Sequence, residues 1–234
     1  MLITSIGQGL LWAPLVIGVF LTFRILNIPD LTTEGSFPLG AAVTISSMLA
    51  GQSAIVASLL GFVAGCLAGW VTGVLDTKLK MPSLLAGILT MTGLYSINMH
   101  IMGKANIPLL DQKTLMGWLP ASWSLNLQTI VIGAMVTLVV LAGLIWLFQT
   151  RLGLSLMATG NNPAMSAANG IYTDRMVIIG YMLSNGLIAL SGGLIAQSNG
   201  YADIGMGIGT IVIGLASVLV GEIFLHGRQI WVRL

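Results

Sequence analysis

Residues 53–75 read SAIVASLLGFVAGCLAGWVTGVL, 23 positions without one charged side chain. About 20 apolar residues in a helix cross the hydrocarbon of a bilayer, so this stretch reads as a membrane span. Gly61, Gly65, Gly69 and Gly73 recur at every fourth position within it. On a helix they line up as one flat stripe about 18 Å long. Lipid does not drive helices together by hydrophobicity, so close backbone approach and dispersion must do so. The stripe is therefore a helix-packing seam, closing either within the chain or against a second copy.

The rest of the 234-residue chain has the same character: 56% hydrophobic, 7% charged, mean hydropathy +0.97. Soluble domains carry about 25% charged residues. This composition excludes a soluble enzyme and a disordered chain. A net charge of +2 without a basic patch also excludes a nucleic-acid binder, so no nucleic acid is expected as a partner. Residues Met1 to Gln8 carry no Lys or Arg, so the first apolar run is expected to stay as a span and not be cleaved as a signal peptide. Cys66 is the single cysteine. It has no partner for an intrachain disulfide and reads as a packing residue.

Seven apolar runs stand out: Leu2–Phe23, Ser36–Ala50, Ser53–Leu75, Leu84–Met102, Leu127–Phe148, Met176–Ala196 and Gly207–Leu225. The expected fold class is an all-α polytopic membrane protein with about seven transmembrane helices in the lipid bilayer. The second run is short and opens on Ser-Phe-Pro-Leu-Gly. Every backbone polar group in lipid must be satisfied internally, so this segment is expected to be broken and buried near a pathway, the alternative being a short interfacial helix. Placing the Arg151–Arg175 loop in the cytoplasm puts Arg24, Lys78, Lys80, Arg228 and Arg233 on the same side. Only Lys104 and Lys113 of the nine basic residues then lie outside, as the positive-inside rule requires. Trp118 and Trp123 in the outer loop read as interfacial anchors.

Gly35 to Ala42 and Gly209 to Ala216 share the pattern G-[S/T]-x-x-[L/I]-G-x-A, each with an Asp upstream, Asp30 and Asp203. In this topology the two segments run in opposite senses, as an inverted repeat requires. The first repeat would span about 1–149, a cytoplasmic loop 150–175, and a partial second repeat 176–234. Asp30, Glu34 and Glu222 are placed at cytoplasmic ends and read as solvated. The intramembrane polar groups Ser96, Asn98, Ser184 and Asn185 are the candidates to line a pathway, with Ser191 beside them; each could equally only bond a neighbouring helix.

No H-E-x-x-H, cysteine cluster, P-loop or G-x-S-x-G occurs. His100 and His226 fall at opposite faces and cannot share a metal. No catalytic residue, metal or cofactor is expected, and any ATP use must come from a partner. The loop reads RLGLSLMATGNNPAMSAANGIYTDR over 151–175. Asn162 before Pro163 is an N-cap with proline at the first helical position, and Gly170 after Asn169 is a C-terminal stop. A helix of about two turns with small, uncharged side chains is expected there, either suited to a groove on another protein or part of a simple surface loop.

Ala158-x-Gly160-x-Asn162-Pro163 with Gly170-Ile171 resembles the cytoplasmic coupling segment of bacterial ABC importer permeases of the branched-chain amino acid and ribose class. Leu26 to Ala42 resembles the early broken helix of that class. Ser184-Asn185-Gly186-Leu187 and Ser191-Gly192-Gly193 are similar to its sixth-span pattern. The likeness is nearest to a subgroup linked to tryptophan- or tyrosine-type amino acid uptake. It implies a multi-pass permease of the bacterial inner membrane, not an enzyme, with a second permease chain as a homodimer partner. It also implies ATPase subunits docking at Gly160, Asn161, Asn162, Pro163, Ala164, Ala167 and Gly170, and an extracytoplasmic substrate-binding protein. Further spans would follow the Gly221-Glu222 segment, so the second repeat reads as incomplete. A secondary transporter or channel without an ATPase, and a truncated inactive permease, are the alternatives.

Overall fold

The computed structural model describes residues 2–109, 114–118 and 124–224. The expectations for Lys113, Trp123, His226, Arg228 and Arg233 lie outside these residues. Helix α1 (Leu2–Phe20) runs into a π-helical turn at Leu21–Ile25. Then come α2 (Thr33–Leu49), α3 (Ala54–Thr77), α4 (Ser83–Met102), the short strand β1 (Asn106–Pro108) and α5 (Leu125–Gln149). The chain continues through α6 (Arg151–Asn161), α7 (Pro163–Ala168), α8 (Thr173–Asn199), β2 (Tyr201–Asp203) and α9 (Thr210–Phe224).

Five helical segments are long and apolar enough to cross a bilayer: Thr4–Ile25, Ala54–Thr77, Ser83–Met102, Leu125–Gln149 and Thr173–Asn199. Of the other two expected spans, α2 is a short helix, its 17 residues reaching about 26 Å against a hydrocarbon core of about 30 Å, and α9 is described as far as Phe224. Within α2 the helix is continuous through Pro38. The break expected there falls earlier, over residues 26–32, where Asn27 adopts φ 57°, a conformation asparagine tolerates.

The central element is α8, and its sequence explains why. Small residues let α1, α2 and α3 approach its backbone closely. A Cβ at Gly192 would strike the Phe37 carbonyl of α2, and one at Gly40 of α2 would strike the Ala189 backbone. The α3 stripe faces the same helix. Side chains at Gly65, Gly69 and Gly73 would collide with Asn185, Tyr181 and Ile178 respectively, while one at Gly61 would meet the Thr44 hydroxyl of α2. The seam thus closes within the chain. Cys66 packs beside it, next to Gly186. Ser184 Oγ donates to Gly18 O at 2.7 Å and Ser191 Oγ to Leu11 O at 2.7 Å, tying α8 to α1. Such bonds contribute roughly 1 kcal/mol each in a membrane.

At one end of the bundle, β1 and β2 pair antiparallel with Ile107 opposite Ala202. Asn106 Nδ2 donates to Asp203 Oδ2 at 3.2 Å, and Leu109 N to Gly200 O at 2.7 Å. The opposite end holds the Arg24–Glu222 ion pair at 2.6 Å and the Lys78–Asp174 pair at 3.4 Å.

Candidate functional site

The first feature is a polar centre inside the bundle. Asp30 is fully buried. Its Oδ1 accepts from Thr32 N at 2.8 Å and its Oδ2 from Asn185 Nδ2 at 2.7 Å. Ser36 Oγ donates to Asn185 Oδ1 at 2.7 Å, and the Thr32 and Thr72 hydroxyls lie 2.9 Å apart. Asn185 is the thirteenth of the 27 residues of α8, so α2 starts at about half the depth of the bundle. This corrects the placement of Asp30 and Glu34 at a cytoplasmic end. The local string Asp-Leu-Thr-Thr-Glu looks solvated, but its partners lie on α3 and α8, far along the chain. Only Glu222 of the three acids sits near an end.

The start of α9 meets the start of α2 there. Gly209 N donates to Glu34 Oε1 at 3.0 Å, and a Cβ at Gly207 would strike the Glu34 carbonyl. From this meeting point the helices diverge. Near the far end of α2, Ser46 Oγ donates to Ile101 O, close to β1. Near the far end of α9, Glu222 pairs with Arg24. The same turn precedes both helices: Asp203 Oδ1 accepts from Gly205 N at 2.7 Å, two residues on, as Asp30 does from Thr32.

A cavity of about 320 Å³ opens beside this junction, lined by Glu34, Pro38, Met91, Tyr95, Asn98 and Ile208 among others. Asn98 is 1% exposed. Its Nδ2 donates to Gly35 O at 3.2 Å, and its Oδ1, buried from solvent, has no hydrogen-bond partner among the described residues. Of the four pathway candidates, Asn98 alone lines this cavity. Ser184 is bonded to Gly18 and Asn185 to Asp30, both as structural ties, while Ser96 lies exposed on the outer face of α4. His100 is exposed too, and among the described residues no group of three His, Cys, Asp or Glu could hold a metal ion.

The second feature is the 150–175 loop. Pro163–Ala168 is helical, the Asn162 side chain accepts from Met165 N at 3.0 Å, and Gly170 turns at φ 80°. Asn161, Asn162, Pro163, Ala164, Met165, Ala167 and Gly170 are exposed; within α7 only Ser166 is buried. The preceding helix, α6, escaped sequence reading. Thr150 caps it by accepting from Gly153 N, and Gly153, Leu156 and Thr159 form its buried face. That spacing of three was the available signal. Gly160 presses on the Ile25 carbonyl, leaving no room for a Cβ, and its own carbonyl accepts from Asn27 Nδ2 at 3.0 Å. The exposed helix is thereby mounted on the segment that leads into Asp30.

Five helices long and apolar enough to cross a bilayer, with the starts of α2 and α9 meeting at a buried polar centre, make this a multi-pass membrane protein. Residues 1–230 match the family described as branched-chain amino acid transport system, permease component. The chain belongs to this family. It is 41% identical over 189 residues to a tyrosine transport system permease protein of Clostridioides difficile (strain R20291), covering 81% of this chain and 62% of the relative. It is 30% identical to the inner membrane ABC transporter permease protein YjfF of Escherichia coli (strain K12), over 75% of this chain and 54% of that one. It is also 30% identical to the ribose import permease protein RbsC of the same strain, over 64% and 50%. The chain thus spans about half to two thirds of the length of these relatives. They are permease components of transport systems, not catalytic enzymes. No solved structure matches.

Proposed function

We propose that this chain is the transmembrane permease subunit of an ATP-driven importer in a bacterial inner membrane, carrying an amino acid or similar small solute. The observation that carries this reading is the mounting of α7, an exposed, uncharged helix whose base is fixed to the end of α1 through Gly160, Ile25 and Asn27. Separate ATPase subunits would take α7 into a groove. An extracytoplasmic binding protein would deliver substrate at the β1–β2 end, and a second permease chain would complete the pathway. Orientation rests on the basic residues gathered at the α7 end. The matching turns at Asp30 and Asp203 support reading residues 1–149 and 176–234 as a full and a partial inverted repeat.

Movement of α7 passes to α6, from Gly160 to Ile25 and Asn27, and along residues 26–30 to Asp30. There the Asn185 bond connects it to the start of α2 and to Glu34 beside the cavity. The test is substrate-stimulated ATP hydrolysis by the complete complex in liposomes. Ala167→Arg should abolish stimulation and ATPase binding while leaving membrane insertion intact. Unchanged binding and stimulation would overturn the reading.

One observation favours a second reading, a secondary transporter: Asp30 is a buried carboxylate of the kind that can carry a coupling ion. Both of its oxygens are already partnered, as in a structural tie. Substrate accumulation driven by an ion gradient without any ATPase would support that alternative.

A further inference from the structure

We propose that the Arg24–Glu222 ion pair is a latch holding the far end of α9 against α1, and that the 150–175 loop opens it through the π-helical turn at Leu21–Ile25. The link to the loop rests on the importer reading. It adds a second branch to the route that runs toward Asp30.

Helix α9 is held unevenly along its length. Its start is fixed to α2, where Gly209 N donates to Glu34 Oε1 and Gly207 has no room for a Cβ against the Glu34 carbonyl. Further on, Gly214 faces the side chains of Val19 and Leu15, and Leu215 and Val218 are partly buried. Leu219, Val220 and Ile223 are exposed. Ser217 Oγ donates within its own helix, to Ile213 O. At the far end Glu222 Oε1 meets Arg24 Nε at 2.6 Å. The strength of that joint suits a latch better than a staple. The Arg24 side chain is 48% exposed and that of Glu222 23%. An ion pair so open adds little to stability, so it can be broken and remade in every cycle.

Arg24 sits in an unusual turn. Leu26 N donates to Leu21 O at 3.1 Å and Ile28 N to Thr22 O at 3.0 Å, reaching back five and six residues where an α-helix reaches four. Such π turns are rare and recur at functional sites. Each holds a surplus residue. Moving that surplus along the helix rotates the residues it passes by about 100°, enough to carry Arg24 off the α9 side. The loop grips this turn directly: Gly160 presses on the Ile25 carbonyl, and Asn27 Nδ2 donates to Gly160 O. Ile25 is buried, and Arg24 beside it reaches out to α9. A shift at Gly160 therefore reaches the ion pair through Ile25.

The experiment is hydrogen exchange read by mass spectrometry on the purified full chain in lipid nanodiscs, over residues 217–224. Arg24→Gln and Glu222→Gln should each speed exchange there at least fivefold, with α8 unchanged. Arg24→Glu combined with Glu222→Arg should return it to within twofold of wild type. Asn27→Gly keeps the positive φ but loses the bond to Gly160, and should speed exchange at the end of α9 at least threefold. In the Glu222→Gln background it should add nothing, because the latch is already open. Single variants within twofold of wild type, an exchanged pair that stays fast, or an Asn27→Gly effect that is absent or fully additive each overturns the proposal. A second measurement separates a latch from a staple. Arg24→Cys with Glu222→Cys, on a Cys66→Ser background, is joined by a cleavable bis-maleimide. Joining should slow ATP hydrolysis by the complete complex in liposomes at least fivefold, and cleavage should restore it. Unchanged hydrolysis in the joined state overturns the latch. A chain that shows the exchange pattern but binds no ATPase sinks the importer reading alone; ATPase coupling without the exchange pattern sinks the latch alone.

Discussion

The helices α2 and α9 carry one sequence pattern, and an Asp-based turn lies upstream of each, yet they live in different surroundings. Twelve residues of α2 are buried, among them Gly35, Gly40 and Thr44. Several of its neighbours are backbone: Met91 Cα at Gly35 and the Ala189 main chain at Gly40. On α9, Val212 is 65% exposed and Ile223 69%. Its corresponding glycine, Gly214, is met by the side chains of Val19 and Leu15. The pattern therefore falls inside α2 from its third residue, but across the start of α9. What tolerance each position has is set by whether backbone or a movable side chain stands opposite.

The hardest way to break this comparison is at the paired glycines. Gly40→Leu should prevent folding, at or beyond the upper end of the roughly 1–3 kcal/mol range for overpacked cores, because backbone cannot step aside. Gly214→Leu should cost about 1 kcal/mol, because the tips of Val19 and Leu15 can rotate away. Thermal unfolding and monodispersity in detergent would measure both. Equal losses would show that α9 is held as rigidly as α2.

The paired aspartates give a smaller contrast. Asp30→Ala strips partners from Thr32 N and from Asn185, both buried, and should cost about 2–3 kcal/mol. Asp203→Ala loses comparable bonds to Gly205 N and Asn106, but part-exposed groups there can turn to water, so the cost should stay below about 1 kcal/mol. Denaturant titration of the two variants reads the difference, and a reversed order would refute the burial argument.

The smallest effect belongs to a third helix start, the exposed one of α7. Asn162→Ala removes the cap on Met165 N and should cost about 0.5 kcal/mol, the low end for a helix cap. That loss should appear as faster hydrogen exchange over residues 163–170 with the global Tm unchanged. A lowered global Tm would mean that α7 supports the bundle and is not merely mounted on it.

These contrasts show what the sequence could disclose. The glycine stripe, the apolar runs and the Asn162-Pro163 cap are local patterns with a fixed helical period, and each was readable. The burial of Asp30 was not, since it depends on Asn185 and Thr72, which no local window contains. Helix α6 was missed because its buried face is three residues, one of them a glycine. For the cavity, Asn98 was identifiable as an intramembrane amide. Nothing in the string could show that Gly35 would claim its nitrogen and leave its oxygen free, nor that Glu34 would stand beside it.

The small β1–β2 clasp has a mechanical meaning. Two three-residue strands fasten the loop after α4 to the end of α8, so those two helices share a fulcrum at that end. The 27 residues of α8 extend about 40 Å from it. The 150–175 loop joins α8 at the other end, so the clasp and the loop stand about 40 Å apart along one helix that α1, α2 and α3 grip between them.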